Sequence, residues 1–225
     1  MSIEMVEKID DFIKIRHLII SVSDKNGLDD FIPGILKINP EVKFFSTGGT
    51  YRKIKQILGK NADTCLTQVA DYTGQPEIQG GLVKTLDFKI YLGLLTETYN
   101  EAHKKDMQRT GSVPIDMAVI NLYPFKKTIL KQDVTFEEAR GNIDIGGPCM
   151  IRAAAKNFLR VATVVDPSDY KMILMKIKTN NGLLPLKIRF GLAQKAFEHT
   201  AVYDRMIADF LSSKAIQDIR DYKIA

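Results

Sequence analysis

Several polar groups in this chain have residue types and spacings that could do chemistry. In N-I-D-I-G-G-P-C-M-I-R-A-A-A-K-N (residues 142–157) an acid, Asp144, stands just ahead of a Gly-Gly-Pro turn, and Arg152 and Lys156 follow four residues apart. On a helix that spacing puts both cations on one face, which is mildly unfavourable unless something anionic lies opposite. Pro148 suits the first turn of such a helix, and the three alanines predict a backbone packed tightly on a neighbour. Thr47-Gly48-Gly49-Thr50 offers free backbone N–H groups, two hydroxyls and a helix N-terminus, a combination that binds phosphate well. Ser23-Asp24-Lys25, Lys84 and the pair Asn121/Tyr123 complete the set. Each also has a plainer reading. The lysines can be solvated charges, the Tyr123 ring can close the end of a sheet, and residues 142–157 can be a capped helix with a basic edge.

Composition bounds the classes. A charged content of 26% and a hydrophobic content of 45% are ordinary for a globular protein, and 225 residues suffice for a real core. The net charge of +5 suits a phosphorylated ligand but is too small and dispersed to argue for nucleic acid. Cys65 and Cys149 lie far apart, and His17, His103 and His199 show no pairing, so no metal spacing is present and a reducing, cytoplasmic setting is expected. No apolar run reaches the roughly 18 residues a membrane span needs. Neither a G-x-x-x-x-G-K-[ST] loop nor G-x-G-x-x-G occurs, which disfavours a nucleotide triphosphatase or a nicotinamide enzyme.

The positioning elements can be read in chain order. Residues 1–16 alternate acids and apolars and predict a short amphipathic helix ahead of the fold. Residues 17–23 are a nearly continuous apolar run, as in a buried parallel strand. Leu28, Phe31, Ile32, Ile35 and Leu36 recur at helical spacing. Residues 42–45 predict a second strand, and Ile54, Ile57 and Leu58 another helix: a βαβ signature. Residues 71–81 predict a surface loop, 90–95 a strand, and 97–109 a polar helix. Residues 115–122 predict the clearest buried strand, 136–140 a short helix and 161–165 a last strand. Beyond Asp166-Pro167 the chain turns helical, with Leu192, Ala196, Tyr203, Ile207 and Phe210 as an apolar stripe. The whole predicts a three-layer α/β domain with a mostly parallel sheet flanked by helices (residues 17–180), carrying a helical C-terminal segment (181–225). Ser23-Asp24-Lys25, Thr47-Gly48-Gly49-Thr50, Asn121 with Tyr123 and the turn around Asp144 are expected at carboxyl ends of strands, where open α/β sheets bind ligands.

In this order the segments S-V-S-D-K-N-G-L, S-T-G-G-T, V-K-T-L, N-L-Y-P-F, I-D-I-G-G-P, R-A-A-A-K-N, V-D-P-S-D-Y and K-A-F-E-H-T-A-V-Y-D resemble the inosine-monophosphate cyclohydrolase domain of the bifunctional purine-synthesis protein. The resemblance runs over residues 17–212. It implies a methylglyoxal-synthase-like fold and an enzyme that needs no metal or cofactor. The implied reaction closes the ring of formylaminoimidazole-carboxamide ribotide to inosine monophosphate with loss of water. Substrate contacts would fall on Ser23, Asp24, Lys25, Thr47, Gly48, Gly49, Thr50, Thr85, Asn121 and Ile145, and the catalytic set on Lys84, Tyr123, Asp144 and Lys156. A continuous helix from Asp144 to Lys156 would separate the two by about 18 Å, so Gly146-Gly147 are expected to fold the chain back.

Where the family reads G-R-V-K-T-L-H-P-K-I-H-G-G, this chain has Leu82 for the arginine, Asp87-Phe88 for His-Pro and Tyr91-Leu92 for His-Gly. Asp87 is expected to oppose a phosphate, and turnover to suffer. The resemblance further implies a homodimer, and leaves room for a separate transformylase as partner. The alternatives are a catalytically weakened ribotide-binding module and methylglyoxal synthase chemistry on a triose phosphate. The N-L-Y-P-F and A-A-A-K-N segments count against the last.

Overall fold

The computed structural model describes residues 5–75, 84–219 and 222. Its strands are β1 (Phe12–Lys14), β2 (His17–Val22), β3 (Lys43–Ser46), β4 (Leu66–Gln68), β5 (Met117–Asn121), β6 (Ala162–Val164) and β7 (Leu183–Pro185). The helices of the first half are α1 (Leu28–Ile38), α2 (Gly48–Leu58), α3 (Ala62–Cys65), α4 (Val69–Thr73), α5 (Phe88–Leu95) and α6 (Glu101–Thr110). Those of the second half are α7 (Phe125–Ile129), α8 (Phe136–Gly141), α9 (Gly146–Lys156), α10 (Tyr170–Thr179) and α11 (Leu186–Ser212).

The centre is a five-stranded sheet in the order β4-β3-β2-β5-β6, in which every neighbouring pair is parallel. Alternation along β2 sorts its side chains onto two faces. Leu18, Ile20 and Val22 pack with α1, α2 and α10. Ile19 faces the other way, towards α5, α9 and α11. The result is helix, sheet and helix in three layers, as expected.

The strand order reverses beside β2. The chain leaves it for β3 and β4 on one side and returns to β5 and β6 on the other, so the carboxyl ends of β2 and β5 flank a switch point, where such sheets open a crevice. The predicted tight packing of the alanines is found: Ala153, Ala154 and Ala155 are buried where α9 lies against α11.

Three sequence expectations are overturned. No helix forms among described residues 5–16. Instead β1 pairs antiparallel with β7, and Arg189 clamps this ribbon by donating to the carbonyls of Asp10, Asp11, Phe158, Leu159 and Leu184. The tertiary pairing overrides a weak local helical preference. Residues 90–95 are helix, not strand. A short apolar run does not distinguish a buried helix from a buried strand, and here Asp87 starts the helix by accepting the Lys89 N–H at 2.8 Å. Part of the expected loop at 71–81 belongs to α4, while its later part lies outside the described residues. The polar helix is α6, capped by Asn100, which accepts from the His103 N–H.

Candidate functional site

A cleft of about 290 Å³ opens at the switch point, near the roughly 300 Å³ lower end of small-molecule sites. It brings together Ser23, Lys25, Thr47, Gly48, Gly49, Thr50, Lys84, Thr85, Asn121, Tyr123 and Asp144 from segments far apart in the chain. Asp24, Ile145 and Lys156 are not on its wall.

One end is built around α2. Gly48 has φ +49°, a left-handed conformation that L side chains resist. It turns the chain from β3 into the helix and bares the first N–H groups, whose partial positive charge favours an anion. Three cations crowd the same glycines. Lys84 Nζ lies 3.7 Å from where a Gly48 Cβ would sit, and Lys25 Cε and Arg52 Nη2 each lie 3.8 Å from that of Gly49. Lys25 also donates to the Ser23 carbonyl at 3.2 Å. Sequence reasoning missed Arg52. Its position one turn into the predicted helix, beside the Gly-Gly turn, is the signal that would have found it.

Two expected contact residues on the cleft wall also hold the scaffold. Thr50 is buried, and its hydroxyl accepts the Val22 N–H at 3.1 Å and donates to the Val22 carbonyl at 3.0 Å. That exchange joins α2 to the end of β2 as a strand would. Asn121 likewise accepts the Asp24 N–H at 2.8 Å and donates to the Asp24 carbonyl at 2.9 Å, so its amide holds the loop after β2. The Asp24 carboxylate is turned to its own loop, accepting the Asn26 N–H at 2.9 Å.

The other end holds Asp144 and Tyr123. Asp144 Oδ1 accepts the Gly147 N–H at 2.9 Å, anchoring the carboxylate on the N-terminal turn of α9. The expected fold-back at Gly146-Gly147 does not occur, because both glycines lie inside the helix. They are small because of what they approach. A Gly146 Cβ would stand 2.7 Å from Thr85 Oγ1, and a Gly147 Cβ 2.6 Å from Leu122 Cδ2 and 2.8 Å from Asp144 Oδ2. The helix therefore runs on without a turn, and Lys156 sits exposed in its last turn, about 15 Å from its start by the rise per residue. Lys156 and Asp144 of one chain cannot serve the same small ring. Arg152 is also turned away, its guanidinium 5.6 Å over the Phe197 ring. Tyr123 is 58% exposed at the mouth. Met150, Leu86 and Ile120 supply an apolar wall that sequence reading did not single out.

The departures from the family pattern leave the described cleft open. Asp87 is buried and spends its carboxylate on capping α5, so it does not oppose an anion in the cleft. Tyr91 is half-buried against Cys149, and burial pushes its phenol up. Leu82 lies outside the described residues.

Fold and cleft together define a three-layer α/β domain whose switch-point crevice is lined by a glycine turn with lysines and by an acid. The chain belongs to the MGS-like domain family, whose sequence model matches residues 30–149, more than half of the chain. The model of the AICARFT/IMPCHase bienzyme matches residues 154–224. Bifunctional purine biosynthesis proteins PurH are similar over most of it: 49% identity over 199 residues for that of a Thermoanaerobacter species, and 43% over 202 residues for that of Leptospira biflexa. These alignments cover 88% and 90% of this chain but only 38% of either relative. The chain thus spans little more than a third of the length of the curated relatives it matches. A solved structure, that of ForH, superposes with TM-score 0.71 at 32% identity, over 87% of this chain and 98% of that one.

Proposed function

We propose that this domain is an inosine-monophosphate cyclohydrolase of purine biosynthesis, with formylaminoimidazole-carboxamide ribotide as its substrate. The observation that carries this reading is the convergence of the anion cradle and the Asp144/Tyr123 pair on one cleft. The ribotide phosphate sits against Gly48 and Gly49, with Lys25, Arg52 and Lys84 around it, and the base reaches towards Asp144. A carboxamide nitrogen is a poor nucleophile. Asp144 takes a proton from it as the nitrogen–carbon bond to the formyl group forms. The formyl oxygen collects negative charge in the tetrahedral intermediate, which the Lys84 ammonium and the Tyr123 hydroxyl stabilise. That oxygen takes up two protons, one returned by Asp144 and one supplied by Lys84 or Tyr123, and leaves as water, while the former formamide nitrogen gives up its own proton, which restores that donor, and closes the double bond. Because both reacting groups belong to one molecule, holding them folded supplies much of the rate.

A reducing cytoplasm would suit the two free thiols, Cys65 and Cys149. A homodimer and a separate transformylase that delivers the formylated ribotide are part of the same proposal. The test is to mix purified protein with that ribotide and follow inosine monophosphate by absorbance. Turnover lost in Lys84→Ala and Asp144→Asn is expected. Ribotide binding without product would leave only a binding module, and phosphate release from dihydroxyacetone phosphate would point to methylglyoxal synthase chemistry instead.

A further inference from the structure

The cleft is built from the chain up to Gly147 and Met150, yet one of its parts is held from the far C-terminal helix. Tyr203, on α11, is only 4% exposed. Its phenol oxygen accepts the backbone N–H of Asp144 at 2.8 Å. Its ring meets Phe125 edge to face, with centroids 6.2 Å apart and planes at 67°, and the Phe125 N–H in turn donates to the Tyr123 carbonyl at 2.8 Å. One side chain therefore bears on both segments that carry the acid and the hydroxyl of the site. Burial pushes the phenol's titration up, so it stays a neutral hydroxyl through the working range.

The geometry points to Tyr203 as a positioning residue: its hydroxyl fixes the Asp144 backbone so that the carboxylate is aimed into the cleft. Asp144 precedes the helix, so no turn of α9 holds its N–H. The carboxylate has its own anchor on the Gly147 N–H. Without the phenol oxygen the peptide before Asp144 can rotate about that single point, and an N–H beside the core is left without an acceptor. A fraction of an ångström at a proton-accepting oxygen matters far more to rate than to binding. Tyr203 lines no part of the cleft and bears on its acid end alone, so ribotide affinity at the anion cradle on α2 should be spared.

This inference rests on the cyclohydrolase reading only for its kinetic arm. The variant is Tyr203→Phe, which keeps the ring and its packing and removes one oxygen. Expected are a fall in kcat of about tenfold, the size of one lost internal hydrogen bond with its unsatisfied partner, and a KM and product affinity within about twofold of wild type. Amide exchange at Asp144, read by NMR, should quicken by a similar factor while the amides of β2 and β5 keep their protection. A merely structural tyrosine would lower the melting temperature and the active fraction with kcat per folded molecule unchanged, and that result would overturn the proposal. If the wild-type protein makes no inosine monophosphate, the cyclohydrolase reading falls by itself, and the exchange of the Asp144 amide still decides: unchanged exchange in Tyr203→Phe refutes the positioning role.

Discussion

Gly147→Ala tests the claim that the glycines after Asp144 exist for close approach and not for a turn. The added methyl would sit 2.6 Å from Leu122 Cδ2 and 2.8 and 3.0 Å from the two Asp144 oxygens. Comfortable contact begins at 3.4 Å, so the carboxylate must retreat by about 0.4–0.6 Å by that contact criterion. Its hydrogen bond from the Gly147 N–H weakens, a charge-assisted bond worth about 1.5–3 kcal/mol. Crowding of Leu122 adds about 1–3 kcal/mol, and the better helix propensity of alanine returns about 1 kcal/mol. The fold should therefore survive with a loss of about 1–4 kcal/mol, measurable by urea denaturation, because the hydrogen bond weakens without being lost. Displacement of a reacting group by an ångström costs on the order of a hundredfold, so kcat should fall by about ten- to a hundredfold. Phosphate-end affinity should hold, because α2 is untouched. A folded Gly147→Ala protein with kcat within about twofold of wild type would refute the argument, since the crowded carboxylate would then not be the reacting group.

Other substitutions probe the remaining parts. Arg52→Ala should weaken ribotide binding by about three- to tenfold, more at low ionic strength than at physiological salt, with kcat little changed; titration calorimetry at the two salt levels checks it, and equal affinity in variant and wild type at both would remove Arg52 from the cradle. Arg189 is fully buried with its guanidinium shared among backbone carbonyls, so Arg189→Ala should cost about 3–5 kcal/mol in urea denaturation, and a loss under about 1 kcal/mol would show the clamp to be idle. Asp166 is held down to about 2 by its hydrogen bond from Lys195 and by the Ser168 N–H. A carboxylate lowered on folding stabilises above its unfolded value of about 3.9 and loses that contribution as pH falls towards 2. Asp166→Asn should therefore lower stability at neutral pH, by no more than about 1 kcal/mol because the pair is partly solvated. In denaturation followed across pH, the difference should shrink steadily below about pH 4. A difference that persists at the acid end would mean the aspartate acts by packing.

Much of this protein was legible in its residues. Strand β2 announced itself as a nearly continuous apolar run, and the polar clusters at Ser23, Thr47 and Asn121 fell at strand ends because a parallel sheet sends every carboxyl end to one rim. That topology alone predicted a shared cleft, and the alanines of α9 predicted a close helix contact. Local pattern could not decide what each polar group would do once there. Thr50 and Asn121 look like ligand residues in the sequence, and each also spends hydrogen bonds on the backbone at the end of β2 or in the loop after it. Asp87 looks like a charge opposing phosphate and is instead a helix cap. Residues 90–95 have no period that separates helix from strand, and the choice fell to the cap and to packing against α9. Lys156 reads as a neighbour of Asp144 only if the glycines bend the chain, and whether they bend it depends on the atoms of Thr85, Leu122 and Asp144 that press against them. Tyr203 reads as one more member of an apolar stripe. Sequence spacing determined which residues share an element and which end of it they occupy. Only the tertiary structure decided which donors and acceptors were already satisfied, because that depends on atoms brought together from distant parts of the chain, 59 residues apart for Tyr203 and Asp144.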